Sequence, residues 1–121
     1  MNVFQDTLRR IAERVEGTRA VSLVGVDGIP IDSYGVLDGG TSVESFAAEL
    51  GAFVKAAQGP HTSFDSSSIQ QLSLVTDTSI AILSRVTEEY YLLLLLTREG
   101  SFGRGRFELA KAALALEKEL L

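Results

Sequence analysis

The sequence contains no cysteine and no tryptophan, only two prolines and a single histidine. The lack of cysteine excludes disulfides, thiol chemistry and thiolate metal sites, and it fits a reducing compartment. His61 follows Pro60 in a predicted loop and has no second histidine with which to share a metal ion. We therefore expect neither a metal site nor a cofactor, and we interpret His61 as a solvated loop residue.

Long apolar runs and an excess of basic residues are also missing. The longest apolar run, Tyr90–Leu96, is far shorter than the ~20 residues that span a bilayer. The chain has 11 basic and 16 acidic residues, which gives a formal net charge of −5. The excess of basic residues that drives non-specific nucleic-acid binding is therefore missing. Met1 leads directly into a charged segment, from which we expect no signal peptide. We expect a soluble, cytoplasmic protein that neither inserts into membranes nor binds nucleic acid.

The composition is typical of a folded domain. The chain has 121 residues, of which 45% are hydrophobic and 22% charged. This length lies in the usual range of single domains, about 100–150 residues. So apolar a chain with so modest a net charge is not disordered. We predict one domain covering residues 1–121.

The first third of the chain predicts a helix followed by a hairpin. Apolar residues recur at the helical period over Val3–Glu16. Strands are predicted over Ala20–Val26 and Ile29–Tyr34, and Asp27-Gly28 between them indicates a type I′ turn with positive φ at both residues. Pro30 cannot donate to a strand ladder, so we expect the second strand at a sheet edge.

A second helix is predicted over Thr41–Ala57, because Thr41 and Glu44 form a capping box. Its apolar residues, Phe53 among them, are expected to face inward. The opposite face is unusually smooth, since small side chains project where a solvated helix normally carries charge. These small residues are Ser45, Ala48, Ala52 and Ala56, flanked by Glu44, Glu49 and Lys55.

Three closely spaced strands and a last helix follow. The strands are predicted over Ile69–Val75, Ile80–Val86 and Tyr90–Thr97, and the helix over Phe107–Leu121. The run from Tyr90 shows no alternation, so its strand should be central and covered on both faces. The order α-β-β-α-β-β-β-α predicts an α+β fold: a five-stranded antiparallel sheet with one helix on one face and two on the other.

The strand Ile69–Val75 carries no charge and no proline. An edge of this kind invites association, and pairing it across a two-fold axis would remove the exposure. Combined with the smooth helix face, it predicts a dimer interface, although alanine is also simply the best helix former. The predicted interface residues are Glu44, Ser45, Ala48, Glu49, Ala52, Lys55, Ala56, Ile69, Gln71, Ser73 and Val75.

Catalytic constellations are missing from the sequence. Ser66–Ser68 lack the G-x-S-x-G context of a nucleophile elbow. Glycines and arginines in Gly100–Arg106 precede a helix, where backbone amides can hold an anion, but the Walker A and G-x-G-x-x-G patterns are absent. We interpret this segment as the turn that opens the last helix. We expect no enzyme activity.

The chain resembles the Roadblock (dynein-light-chain-like) family, close to its bacterial MglB and MglC branches. The most specific part is the strand–Asp-Gly–strand hairpin followed by a capped, alanine-rich helix. The resemblance covers essentially the whole chain. Its residues are Phe4, Leu8, Ile11, Gly17, Leu23–Ile29, Ser42–Glu44, Ala47–Glu49 and Gly103–Leu109.

This resemblance implies a non-enzymatic dimer that regulates or scaffolds a Ras-like small GTPase of the MglA kind. In the family, two protomers join through the middle helix and the strand after it, here Thr41–Gln58 and Ile69–Val75, into one continuous sheet. The partner copy would be identical or another Roadblock protein. The short chain favours an adaptor over a full GTPase activator.

An alternative is a small-molecule-sensing signalling domain of related architecture. Such a domain needs a pocket between sheet and helix. The crowded strand Leu92–Leu96 predicts little spare volume there.

Overall fold

The structure, a computed structural model, describes residues 3–35, 43–57 and 69–120. Three helices and five strands alternate in the predicted order. The helices are α1 (Val3–Arg14), α2 (Val43–Ala57) and α3 (Phe102–Leu120). The strands are β1 (Thr18–Gly25), β2 (Pro30–Gly35), β3 (Gln71–Val75), β4 (Ser79–Arg85) and β5 (Tyr90–Thr97). Thr41, His61 and Ser66–Ser68 lie outside the described residues.

The five strands form one antiparallel sheet in the order β2-β1-β5-β4-β3. β5 lies at the centre, and β2, which begins at Pro30, lies at one edge, as predicted from the sequence. β3 lies at the other edge and pairs with β4 alone among the described strands.

The central strand separates two apolar clusters. Leu92, Leu94 and Leu96 lie in the cluster with α1 and α3, whereas Leu93 and Leu95 lie in the cluster with α2. All five are buried. Because side chains alternate across a strand, this division explains why the run is apolar on both sides. The predicted α+β architecture, with one helix on one face and two on the other, is confirmed.

The β1–β2 hairpin differs from the predicted turn. Only Gly28 has a positive φ, at 87°, and no residue other than glycine does so in the described chain. The Gly28 N–H donates to the Gly25 carbonyl and the Gly25 N–H to the Ile29 carbonyl, both at 2.9 Å. The loop therefore has three residues, Val26–Gly28, with a glycine in the left-handed region. The type I′ prediction was wrong, because the chain places only one residue at positive φ.

α3 begins at Phe102, five residues before its predicted start at Phe107. The glycines were interpreted as a loop, but Gly105 is buried against the sheet. A Cβ at Gly105 would come within 3.1–3.3 Å of three methyl groups. They belong to Ile82, Leu94 and Leu96. The glycine thus allows close helix–sheet approach, and packing outweighs its poor helix propensity.

Candidate interaction surface and adjoining cleft

The outward face of α2 is exposed, as the sequence predicts. Small side chains occupy it, and Glu49 is exposed beside them. The side chains of Glu44 and Lys55 lie outside the described residues. The small residues on this face are Ser45, Ala48, Ala52 and Ala56.

Phe53 was expected in the inward arc of α2, but its side chain is 57% exposed. The reason is the position of the helix over the sheet. The β1–β2 turn lies against one flank of α2, where a Cβ on Gly28 would come within 2.7 Å of the Ala48 Cα. Gly51 lies close to the same hairpin. Phe53 is two residues further, about 200° around the helix, and so projects from the flank that faces away from the hairpin.

The same flank of α2 is partly buried at its other end. Phe46, seven residues before Phe53 and on the same side of the helix, packs against the cluster beneath α2. Ile69 and Leu72 are partly buried against that cluster too. Ile69 was predicted as the first residue of the strand but lies two residues before it.

β3 exposes apolar side chains on both faces of its open edge. Leu74 pairs with Ala81 on the α2 face, and Val75 pairs with Ile80 on the α3 face. Both Leu74 and Val75 are exposed. Ser73 precedes Leu74 in the strand and is half-buried. Among the described strands only β4 pairs with β3, and an uncharged open edge of this kind favours pairing with another strand.

Gln71, also predicted at the interface, is half-buried and forms hydrogen bonds within the protomer. Its amide nitrogen donates to Ser84 Oγ at 2.8 Å and to the Arg106 carbonyl at 3.0 Å. Its amide oxygen accepts from Arg106 Nε at 3.2 Å. The side chain therefore fastens β3 to α3, a role that sequence reasoning missed because the start of α3 was misplaced.

We name these exposed elements the α2–β3 surface. It comprises a smooth helix face and an open strand edge. Glu49 is the charged member of the set. The surface comprises Ser45, Ala48, Glu49, Ala52, Phe53, Ala56, Leu74 and Val75.

A cleft of about 370 Å³ opens on the other flank of α2, at the end of the sheet where β1 ends and β5 begins. Val24, Leu83 and Tyr91 line its sheet side, and Gly51 lines its helix side. Arg85 and Glu88 also line the cleft. The leucines of β5 were expected to leave little room here. The cleft forms just beyond them, because the lining residue on β5 is Tyr91.

The arginines that open α3 bind within the chain. Arg104 lies 3.6 Å from the Glu108 carboxylate, and Arg14 of α1 lies 3.3 Å from the other oxygen of the same group. Arg106 lies over the Phe102 ring, 5.6 Å from its centroid. Glu108 itself is buried. These contacts join α1 to α3, in keeping with a structural role for the segment.

Within residues 3–35, 43–57 and 69–120, histidine and acidic side chains do not gather in groups of three that would hold a metal ion. None of the helices in these ranges has the length and hydrophobicity to cross a bilayer.

Comparison with protein-family models gives no match, and neither does comparison with curated protein sequences. Solved structures do match. A Roadblock/LC7 domain from Streptomyces avermitilis superposes with a TM-score of 0.81 at 19% identity, covering 94% of each chain. MglC from Myxococcus xanthus gives 0.73 at 22% identity, covering 96% of this chain and 98% of its own.

An MglB structure described as a tetrameric arrangement gives a TM-score of 0.81 at 16% identity and covers 94% of this chain and 85% of its own. Profilin IB from Acanthamoeba castellanii gives a lower TM-score, 0.64, at 12% identity over 97% and 95%. At such low identities the likeness establishes architecture alone. The chain has the Roadblock fold, as the residues of its hairpin and middle helix predicted.

Proposed function

We propose that this protein is a non-catalytic interaction module, acting as one domain, that pairs through the α2–β3 surface and binds a Ras-like small GTPase. The observation that carries the proposal is the presence in one protomer of a smooth exposed helix face, an exposed phenylalanine and an apolar open edge. Soluble domains seldom leave such a combination uncovered. The similarity in fold to MglB and MglC supports it.

Self-pairing satisfies both parts of the surface at once. β3 of one protomer pairs with β3 of its partner, and the two sheets become one sheet of ten strands, five from each copy. The same two-fold axis brings the α2 helices together. Small residues such as Ala52 allow the helix backbones to approach closely, and Phe53 then lies against the partner copy.

The described residues contain no histidine or cysteine and no arrangement of a nucleophile with a general base. We therefore expect the protein to act by binding. A module of this kind acts on a GTPase by holding one conformation of its switch regions, since a partner shifts a population only by differential affinity. An activator would accelerate GTP hydrolysis by the partner, whereas an adaptor would leave the hydrolysis rate unchanged. We favour the adaptor, by analogy with MglC.

Replacing Ala52 with glutamate tests the pairing. The carboxylate would be buried without a partner at the helix contact, which is strongly unfavourable, whereas Ala52 is exposed in the protomer and its replacement leaves the core intact. We expect the wild type to be dimeric at tens of micromolar by light scattering and the A52E variant to be monomeric with unchanged circular dichroism.

Ala110→Glu is the matched control, because Ala110 is an exposed alanine on α3, on the other face of the sheet. It should leave the dimer intact. A wild type of about 13 kDa in solution, or an A52E variant as dimeric as A110E, refutes the pairing surface.

The GTPase half of the proposal is tested separately. Small GTPases of the native host, loaded with GDP or with a non-hydrolysable GTP analogue, are titrated with wild type and A52E, and binding and hydrolysis rates are recorded. We expect nucleotide-dependent binding without faster hydrolysis. Faster hydrolysis would make the protein an activator, and binding to none of the GTPases would refute this half while leaving the dimer untouched.

A further inference from the structure

We propose that the cleft between α2 and the sheet binds a small organic anion, an apolar body carrying one carboxylate that pairs with Arg85. None of the residues that line this cleft belongs to the α2–β3 surface, so the proposal is independent of the pairing surface. Its volume, about 370 Å³, falls within the ~300–1,000 Å³ typical of small-molecule sites. The sheet side of the cleft supplies an apolar floor through Val24, Leu83 and Tyr91.

Gly51 keeps the cleft open. Glycine in the middle of a helix destabilises it through backbone entropy, so its presence here needs a reason. Packing does not supply one, because an added Cβ would meet only the Val26 carbonyl oxygen, at an ordinary contact distance of 3.5 Å. A longer side chain at Gly51 would instead extend into the cleft that this residue lines. The glycine therefore preserves volume.

Arg85 provides the anion-binding group. It pairs with Tyr91 across β4 and β5, on the face that α2 covers, and its side chain is only 22% exposed. Among the described residues it forms one ion pair, with Glu88 at 3.9 Å, and Glu88 is 90% exposed. Within the described part of the chain the Arg85 guanidinium donates no hydrogen bond. A half-buried guanidinium without such partners favours an added carboxylate, which it can bind through two parallel hydrogen bonds.

The position of these groups specifies the ligand class. An apolar body covers Val24, Leu83 and the wall at Gly51, while a single carboxylate reaches Arg85. The neighbouring Glu88 repels a second negative charge near the same group. The expected ligands are therefore aromatic or short aliphatic monocarboxylates rather than phosphates.

The test uses the full chain labelled with nitrogen-15 and a panel of probes: benzoate, phenylacetate and hexanoate, with benzyl alcohol and benzylamine as matched neutral and cationic compounds. We expect one or more carboxylates to shift the amide resonances of Gly25 and Gly51 with Kd on the order of 1 mM, as befits so small a ligand. The alcohol should bind roughly 10- to 100-fold more weakly, the usual value of a hydrogen bond to a charged group.

Variants separate the cleft from non-specific binding. R85Q should remove the preference for carboxylates, R85K should retain part of it, and E88Q should strengthen binding. G51L should block every probe, and Gly103→Leu is its matched control, because a Cβ at Gly103 of α3 meets nothing within 4 Å.

Carboxylates that shift no cleft resonance at about 10 mM, tenfold above the expected Kd, overturn the proposal. Binding that survives unchanged in R85Q or G51L also overturns it. If R85Q does not fold, the carboxylate affinities of R85K and E88Q are compared with that of the wild type. Equal affinities in all three proteins overturn the proposal. A failed dimer test with A52E has no bearing on these outcomes.

Discussion

Replacing Phe53 with alanine tests the pairing surface at its largest exposed apolar side chain. A buried aromatic side chain covers about 150–250 Å². Since 57% of Phe53 is exposed, roughly 110 Å² remain for a partner to cover. At about 25 cal/mol per Å² this area is worth up to about 3 kcal/mol in each protomer.

A partner copy would cover part of that area, and we assume that it buries roughly half of the exposed Phe53 surface. The loss is then about 1.5 kcal/mol per protomer and about 3 kcal/mol for a dimer that contains the residue twice. Such a loss raises the dimer Kd about 100-fold. Sedimentation equilibrium over a dilution series measures this constant directly, and circular dichroism confirms that the F53A monomer stays folded.

Phe107→Ala is the matched control, because Phe107 is 60% exposed but belongs to α3 on the other face of the sheet. The F107A variant should have the same dimer dissociation constant as the wild type. Equal dissociation constants for F53A and the wild type would refute the assignment of α2 to the interface. Equal weakening in both variants would show that exposed apolar area anywhere, rather than the α2–β3 surface, drives association.

Two further predictions concern the fold. Leu94→Ala should lower the free energy of unfolding by about 2–5 kcal/mol, the range for a fully buried leucine, and a loss below about 1 kcal/mol in denaturant titration would contradict its central place. Gly105→Ala should be less stable than Gly103→Ala by about 1–3 kcal/mol, because both gain helix propensity but only Gly105 is overpacked against the sheet. Equal melting temperatures for the two variants would show that Leu94 and its neighbours accommodate the added methyl group without a loss of stability.

The architecture was predictable where one local signal had only one structural outcome. A strand that is apolar on both sides, as from Tyr91 to Leu96, must be covered on both faces, and Pro30 restricts its strand to an edge. Both predictions are confirmed. These signals sufficed for the strand order around β5 because they depend on the chain itself rather than on exact packing distances.

The errors occurred where packing between elements decides the outcome. The hairpin approaches α2 closely at Gly28 and Ala48, and Phe53, on another side of the helix, lies outside the core. The start of α3 depends on the space beneath Gly105, which overrides helix propensity. The cleft beside Gly51 has the same origin, since its volume depends on how far the helix stands from the strands. None of these distances is encoded in a periodic pattern.

The two margins of the sheet differ in chemistry, and this difference limits assembly. β2 begins with a proline, carries Asp32, and loses register with β1 between Leu23 and Val24, features that protect a strand from adding neighbours. β3 has none of these features. A chain with two pairing-competent sheet edges would assemble into an open-ended fibre. A chain with one such edge pairs it with the same edge of a second copy, and assembly stops at the dimer. The asymmetry between Pro30 and the uncharged β3 thus favours a closed pair over a polymer.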